Sequence, residues 1–247
     1  MLRNFFFFCT FIPASIAFSS LAVLAALFDR SGNASTRIGH VWARICLALS
    51  GIRLEADLTA LPKGQNVIFM PNHTSYLDIL VLYTLLKDYR IGFVAKEVLF
   101  TIPIFGKAMR SAGHIPIDRG NSRRAMKSID YAVEKAHEGV SIVIFPEGTR
   151  NVGFEKELGP FQIGGMIMAL KCGIPVAPLV IDGTGDIMPK GRSTLAPGRR
   201  VVRIKALPLI EPGRYTLKQR EQFKEDLRQH MNATYMEMRQ CPVTTNS

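Results

Sequence analysis

Between Asn66 and Leu207 short aliphatic runs alternate with helical segments, and this alternation constrains the fold more than any other feature of the chain. Val67–Met70 is a four-residue apolar run closed by Pro71. Ile91–Ala95 and Ala112–Ile117 are similar, and Ser141–Phe145, closed by Pro146, is the clearest strand of the set. Val176–Ile181 and Val201–Leu207 complete the series. The intervening segments read as helices. Leu77–Leu86 is hydrophobic throughout, and Gly164–Lys171 is a short apolar helix stopped by Gly173. Ser122–His137 places Ala125, Ile129, Ala132, Val133 and Ala136 on one face before Gly139, and Thr216–Arg239 is a charged C-terminal helix. Strand followed by helix, repeated, predicts an α/β fold with a largely parallel or mixed sheet flanked by helices. Pro175 and Pro178 inside the Ile174–Ile181 run fit only an edge strand or a bulge.

Ahead of this pattern the chain changes character. Phe5–Phe28 contains no charged side chain, a run long enough to cross a bilayer, or to dip in and return if Pro13 kinks it. No small-x-small cleavage site precedes a polar start, which argues against a removed signal peptide. Arg30, Arg37 and Arg44 follow the run and only Arg3 precedes it, which predicts a cytoplasmic C-terminal side. Ile38, Val41, Trp42, Ile45 and Leu49 then recur at helical spacing with His40 and Arg44 elsewhere. An ordinary core helix has the same pattern, but the position beside the apolar run and the single Trp42 favour a helix lying in the membrane surface. The expected organisation is a helical membrane anchor over residues 1–52 and one α/β domain over 53–247.

Charge agrees with a surface-bound protein. The chain carries 31 Lys and Arg against 20 Asp and Glu, a formal net charge of +11, with a mean hydropathy of +0.13. That combination suits an anionic surface, membrane or nucleic acid. Cys9, Cys46, Cys172 and Cys241 are far apart and form no CxxC pair, so neither a disulfide framework nor a zinc site is expected. No phosphate-binding loop or dinucleotide fingerprint is present.

The chemistry gathers where strands end. In Asn72–Asp78 (NHTSYLD), His73 and Asp78 are five positions apart and cannot share a helix face. They can meet if His73 precedes the helix and Asp78 lies in its first turn. An Asp bonded to one ring nitrogen fixes the imidazole tautomer and leaves the other nitrogen as the acceptor a general base needs. An exposed His beside a helix-N-terminal Asp gives the same spacing. Phe145–Arg150 (FPEGTR) follows the clearest strand and offers Glu147, Thr149 and Arg150 around Gly148, where a ligand can approach the backbone and a guanidinium can bind phosphate. Gly113–Gly120 (GHIPIDRG) delivers Arg119 at another strand end. Ser75 and Cys172 are the candidates for a covalent route, although no nucleophile elbow is present and Ser75 can instead cap the helix.

Four such clusters in this order resemble the glycerolipid acyltransferase family, and within it the bacterial 1-acyl-sn-glycerol-3-phosphate (lysophosphatidic acid) acyltransferases. NHTSYLD is similar to the family's His-x4-Asp motif, GHIPIDR to its Gly-x-Ile-x-Ile-Asp-Arg motif and FPEGTR to Phe-Pro-Glu-Gly-Thr-Arg. IPVAP resembles its final Val-Pro-x-x-Pro motif. The resemblance covers roughly residues 66–181, and a two-helix N-terminal membrane anchor is familiar there too. Asn151 stands where the family often has Ser, and Lys96-Glu97-Val98-Leu99 replaces Lys-Lys-Glu-Leu.

The resemblance implies transfer of an acyl group from acyl-CoA or acyl-carrier protein, as co-substrate, to the sn-2 hydroxyl of lysophosphatidic acid, giving phosphatidic acid. Another lysophospholipid or a lyso-aminolipid is the alternative acceptor. His73 oriented by Asp78 is then the base. Arg119, Glu147, Gly148, Thr149 and Arg150 fall in the acceptor site, with the two arginines toward its phosphate and Glu147 positioning a hydroxyl or an arginine. Lys96 stabilises an oxyanion or contacts the phosphate. No metal, further cofactor or nucleic acid is implied. Membrane lipids are implied partners, with the catalytic domain on the cytoplasmic side of the cell membrane, the inner membrane in a Gram-negative cell.

Overall fold

The computed structural model of the chain describes residues 2–118, 120–153, 155, 157–192, 194–198, 200–211 and 213–240, without the side chains of 2–8 and 122. Arg119 and Cys241 therefore lie outside the described residues. The chain divides into two compact units: Met1–Ser50 with Gly64–Ile68 and Ile79–Ile144, and Gly51–Lys63 with Phe69–Asp78 and Phe145–Ser247. β2 (Ile68–Pro71) and α3 (Leu77–Leu85) each contribute residues to both.

The first unit begins with α1 (Leu2–Ala25) and α2 (Asn33–Ser50), which pack on each other. Their polarity is inverted relative to a water-soluble helix pair. Ile12, Ile16, Leu21 and Leu24 of α1 and Val41, Ile45 and Leu49 of α2 are exposed, and Leu27 and Phe28 follow α1 at 71% and 91% exposure. The inner face of α2 instead buries Ser35, Thr36, His40 and Ser50 beside Ala43, Cys46 and Leu47. These groups are tied by polar bonds. Ser35 Oγ donates to Ala22 O at 3.0 Å, Trp42 Nε1 donates to Ser15 Oγ at 3.1 Å, and His40 Nδ1 lies 2.5 Å from Tyr83 O. Of the stripe read from the sequence, Val41, Ile45 and Leu49 face outward, whereas Ile38 is half-buried and Trp42, expected as an anchor at the membrane surface, turns inward against Phe11 and Tyr83. Among the described residues no helix is long and apolar enough to cross a membrane.

The same unit holds β3 (Ile91–Lys96) between β5 (Ser141–Val143) and β4 (Ile115–Ile117), all parallel. Its crossovers are α4 (Phe105–Ser111), which the sequence reading left out, and α5 (Ser122–His137). Gly92 is required for close approach, since a Cβ there would sit 2.5 Å from Gly113 O. His114 is a core histidine. Phe93 N–H donates to its Nδ1 at 3.0 Å, so Nε2 holds the proton and donates to the Tyr83 hydroxyl at 2.7 Å. Burial pushes the His114 ring down to about 4.

In the second unit the strand order is β1 (Arg53–Asp57), β7 (Val201–Ala206), β6 (Val176–Asp182), β2. β1 pairs parallel and β6 antiparallel to β7, so this sheet is mixed. α6 (Ile163–Cys172), a short α7 (Thr184–Ile187) and α8 (Arg220–Gln240) complete the unit, and α8 packs on α6 and β6. β6 lies inside the strand order, not at an edge, yet it contains Pro178. The reason is a bulge. Leu179 pairs with Ala206, Leu207 N–H still reaches Pro178 O at 3.0 Å, and pairing resumes at Val176 with Ile210, one residue further than an unbroken register. The missing proline N–H thus falls where the ladder is already interrupted.

Candidate active site

β2 ends at Pro71, and the next side chain continues the sheet in its place. Asn72 is fully buried; its Oδ1 accepts Ile181 N–H at 2.7 Å and its Nδ2 donates to Ile181 O at 2.9 Å. The chain therefore leaves the sheet at a fixed point, and His73 is its first free residue. Five residues on, Asp78 opens α3. Its Oδ2 meets His73 Nδ1 at 2.7 Å and also accepts Thr74 N–H at 2.8 Å and Ser75 N–H at 2.9 Å. One carboxylate oxygen thus caps the helix and orients the imidazole. An acceptor-only partner at Nδ1 leaves the proton there and the lone pair on Nε2, which has no hydrogen bond among the described residues. The ring plane is set by Phe145, stacked at 3.9 Å between centroids and 18° between planes.

Glu147 holds the backbone of this histidine. Its Oε1 accepts His73 N–H at 2.7 Å and its Oε2 accepts Gly159 N–H at 2.9 Å. Only 3% of Glu147 is exposed, and burial pushes its carboxyl up to about 7 against the opposing effect of these two bonds. Asn151 N–H returns to His73 O at 2.7 Å, and its side-chain amide donates to Glu157 O at 2.8 Å. Arg228 on α8 then anchors the 157–159 segment through Gly159 O, Leu158 O and the Glu157 carboxylate. The residue at which this chain departs from the resembled motif is thus one of the bonds that join the two motifs.

Gly159 sits so close to the Glu147 carboxylate that a Cβ there would lie 2.6 Å from Oε2. Gly159→Ala is expected to cost about 1–3 kcal/mol as an overpacked site. A fall in thermal midpoint of roughly 2–12 °C follows, at about 2–4 °C per kcal/mol for a chain of this size. A midpoint unchanged within a degree would show that Glu147 can move without consequence.

The rim carries the cations. Gly148 adopts φ 70°, the left-handed region open to glycine, and its N–H closes a turn on Phe145 O at 3.0 Å. The Arg150 guanidinium lies 3.6 Å over the ring of Tyr76, itself 60% exposed, which holds it as a cation–π pair. Lys190 Nζ reaches Thr149 Oγ1 at 3.2 Å. His73, Asp78, Glu147, Gly148, Thr149 and Arg150 all belong to the second unit. Lys96 ends β3 of the first unit, exposed and in register with Ile117. Tyr76, Lys190 and Gly159 were not singled out from sequence; Tyr76 sits inside the His-Asp motif, but nothing in the spacing ties it to Arg150.

The covalent alternatives are occupied or inert. Ser75 is fully buried, with Oγ donating to Met188 O at 2.6 Å and accepting Leu77 N–H at 3.1 Å. It is a cap and a strut. Burial raises the Cys172 thiol to about 11, which works against a thiolate nucleophile.

Comparison with known proteins places this geometry. The family model described as Acyltransferase matches residues 55–182, more than half of the chain and every element that carries the His-Asp pair and Glu147. The chain belongs to the acyltransferase family. A chloroplastic 1-acyl-sn-glycerol-3-phosphate acyltransferase of Brassica napus is 39% identical over 155 residues, 62% of this chain and 44% of that protein. A protein of the same name from Chlamydomonas reinhardtii is 31% identical over 201 residues, 80% of this chain and 59% of that one. The chain thus spans about half the length of these curated relatives. The crystal structure of the 1-acyl-sn-glycerophosphate acyltransferase PlsC from Thermotoga maritima superposes with a TM-score of 0.82 at 22% identity, covering 98% of this chain and 97% of that one. It shares with this acyltransferase the mixed α/β fold with flanking helices.

Proposed function

We propose that this acyltransferase moves a fatty acyl group from acyl-CoA or acyl-carrier protein to the sn-2 hydroxyl of 1-acyl-sn-glycerol-3-phosphate, giving phosphatidic acid. The observation that carries the reading is the 2.7 Å bond between His73 Nδ1 and the buried Asp78, which leaves Nε2 open. Nε2 takes the proton of the acceptor hydroxyl as its oxygen attacks the thioester carbonyl. The tetrahedral intermediate collapses with loss of the thiolate, which takes the proton back from the imidazolium. General-base help of this kind contributes about 10²–10⁴ in rate. Glu147 fixes His73 from behind by its backbone, and no step passes through its own proton.

Arg150 and Arg119 are assigned to the acceptor phosphate, with Lys96 at the phosphate or the developing oxyanion. Tyr76 holds the Arg150 guanidinium flat, so its free edge is presented without a search over rotamers. Arg150→Ala is expected to raise the acceptor KM about tenfold or more with little change in kcat, since charge-assisted hydrogen bonds are worth about 1.5–3 kcal/mol. An unaltered KM removes Arg150 from phosphate binding.

The exposed aliphatic faces of α1 and α2 support attachment to a membrane surface. With Arg30, Arg37 and Arg44 following the apolar run, the favoured side is the cytoplasmic face of the cell membrane. There the lipid acceptor enters laterally from the leaflet.

The test is thiol release by the full chain in vesicles given acyl-CoA or acyl-carrier protein, with and without lysophosphatidic acid, and the lipid product weighed by mass spectrometry. Acceptor-dependent release with phosphatidic acid formed supports the reading. Release without acceptor refutes it in favour of thioester hydrolysis, and turnover confined to another lysophospholipid or a lyso-aminolipid moves the acceptor.

A further inference from the structure

A second basic site lies in the first unit, and none of its lining residues is assigned to catalysis. The turn between α1 and α2 covers a cavity of about 270 Å³ whose lining includes Asp29, Arg30, Arg90, Arg110, Lys135 and Glu138. Four cations face two carboxylates, and both carboxylates are already engaged. Asp29 caps α2, accepting Ala34 N–H at 2.7 Å and both the N–H and the hydroxyl of Ser31. Glu138 takes Lys135 Nζ at 2.7 Å. Arg90 spends one nitrogen on Glu138 O at 3.2 Å, and Arg110 lies over the Phe100 ring at 5.1 Å. Arg30 has no ion pair or hydrogen bond among the described residues. The cavity therefore holds an excess of two positive charges, and donor N–H groups on Arg30 and Arg110 that no group among the described residues accepts.

We propose that this cavity binds a phosphate oxyanion. Planar guanidinium groups from separate elements (the turn, α4 and the start of β3) converge on one volume, which suits the several oxygens of a phosphate better than a single carboxylate. The source favoured by its surroundings is a lipid headgroup. Leu27 and Phe28, the most exposed apolar side chains described, directly precede Asp29 and Arg30 on the same turn. A turn with an aromatic and a leucine outward and arginines beside them matches the boundary between acyl chains and headgroup phosphates. A water-soluble phosphate compound would use the same groups.

The experiment compares the wild-type full chain, Arg30→Gln/Arg110→Gln and a charge-matched control, Arg214→Gln/Lys218→Gln, whose exposed cations lie in the other unit. Binding is measured by flotation with phosphatidylcholine vesicles with and without 30% (~) phosphatidylglycerol at about 0.1 M salt, where screening acts over about 10 Å. A parallel arm records the thermal midpoint with and without inorganic phosphate. Each cation near an anionic surface is worth about fivefold in affinity, so the cavity variant is expected to lose roughly 25-fold of the preference for anionic vesicles while the control loses far less. Loss of that preference, with or without loss of phosphate stabilisation, supports the site with a lipid headgroup as its ligand. Loss of phosphate stabilisation alone supports it with a soluble ligand. A cavity variant that matches the control in both arms overturns the proposal. Should the double variant unfold, Arg30→Gln alone, at a side chain with no partner among the described residues, is read by the same two criteria. None of these readouts uses acyl transfer, so the outcome is independent of the catalytic reading.

Discussion

Replacing His73 with alanine is expected to lower acyl transfer by about 10²–10⁴-fold, the contribution of a positioned general base, with the fold intact. The two halves of this expectation have separate causes. The bonds that seat the backbone of residue 73 survive the change: its N–H to Glu147 and its carbonyl from Asn151 N–H. Asp78 keeps Thr74 N–H and Ser75 N–H on Oδ2 after the ring is gone. What disappears is Nε2, the Nδ1–H bond to Asp78 and the plane that stacks on Phe145. Thiol release under saturating donor and acceptor, with a melting curve on the same sample, checks both. Undiminished turnover removes His73 as the base. A large drop in midpoint would show that the loss came from misfolding and not from chemistry.

Glu147→Ala is expected to damage both properties. It leaves His73 N–H and Gly159 N–H without their acceptor in a buried setting, at about 1–3 kcal/mol for each unsatisfied group. At about 2–4 °C per kcal/mol the midpoint falls by roughly 4–24 °C. His73 loses the bond that places it, so turnover falls as well, and the fall persists at saturating acceptor because no substrate contact was removed. Restored kcat at high acceptor would instead return Glu147 to the acceptor site. The pH dependence gives a second handle. The folded carboxyl is raised from 4.5 to about 7, so the folded state holds its proton more tightly than the unfolded chain does. The associated stability is fully present below pH 4.5 and is lost as pH rises through about 7. Glu147→Gln, which has no proton to lose, is expected to flatten that part of the stability–pH curve relative to wild type. An identical slope in the two proteins would place the titration elsewhere.

Which parts of this were legible from sequence follows from the range of the interactions involved. The His73–Asp78 pairing needs only five residues and a helix start, and spacing alone permits it. Glu147 was legible as a carboxylate near the site, but not its commitment. Its partners are backbone N–H groups at positions 73 and 159, and a main-chain donor leaves no mark in a sequence. β1 was missed because Arg53–Asp57 alternates charge with small and apolar residues and becomes a strand only by pairing with β7, far along the chain. α4 was missed because seven residues including Gly106 carry too little periodicity to read. In α2 Val41, Ile45 and Leu49 were legible as one face, but Trp42 was read onto it and instead turns inward to Ser15, Phe11 and Tyr83. Apolar periodicity marks a face, and whether that face meets protein or surroundings is decided by what the opposite face can bond.

The inward-facing serines, His40 and Trp42 of the N-terminal hairpin have a further consequence. A seam held by hydrogen bonds competes with water when the hairpin is in water, and each bond is then worth little. In an environment of low dielectric the same bonds lose their competitor and strengthen. A hairpin built inside out in this way grips more firmly when its outer face is immersed in hydrocarbon than when it is washed by buffer. Its cohesion becomes a property of where the molecule resides.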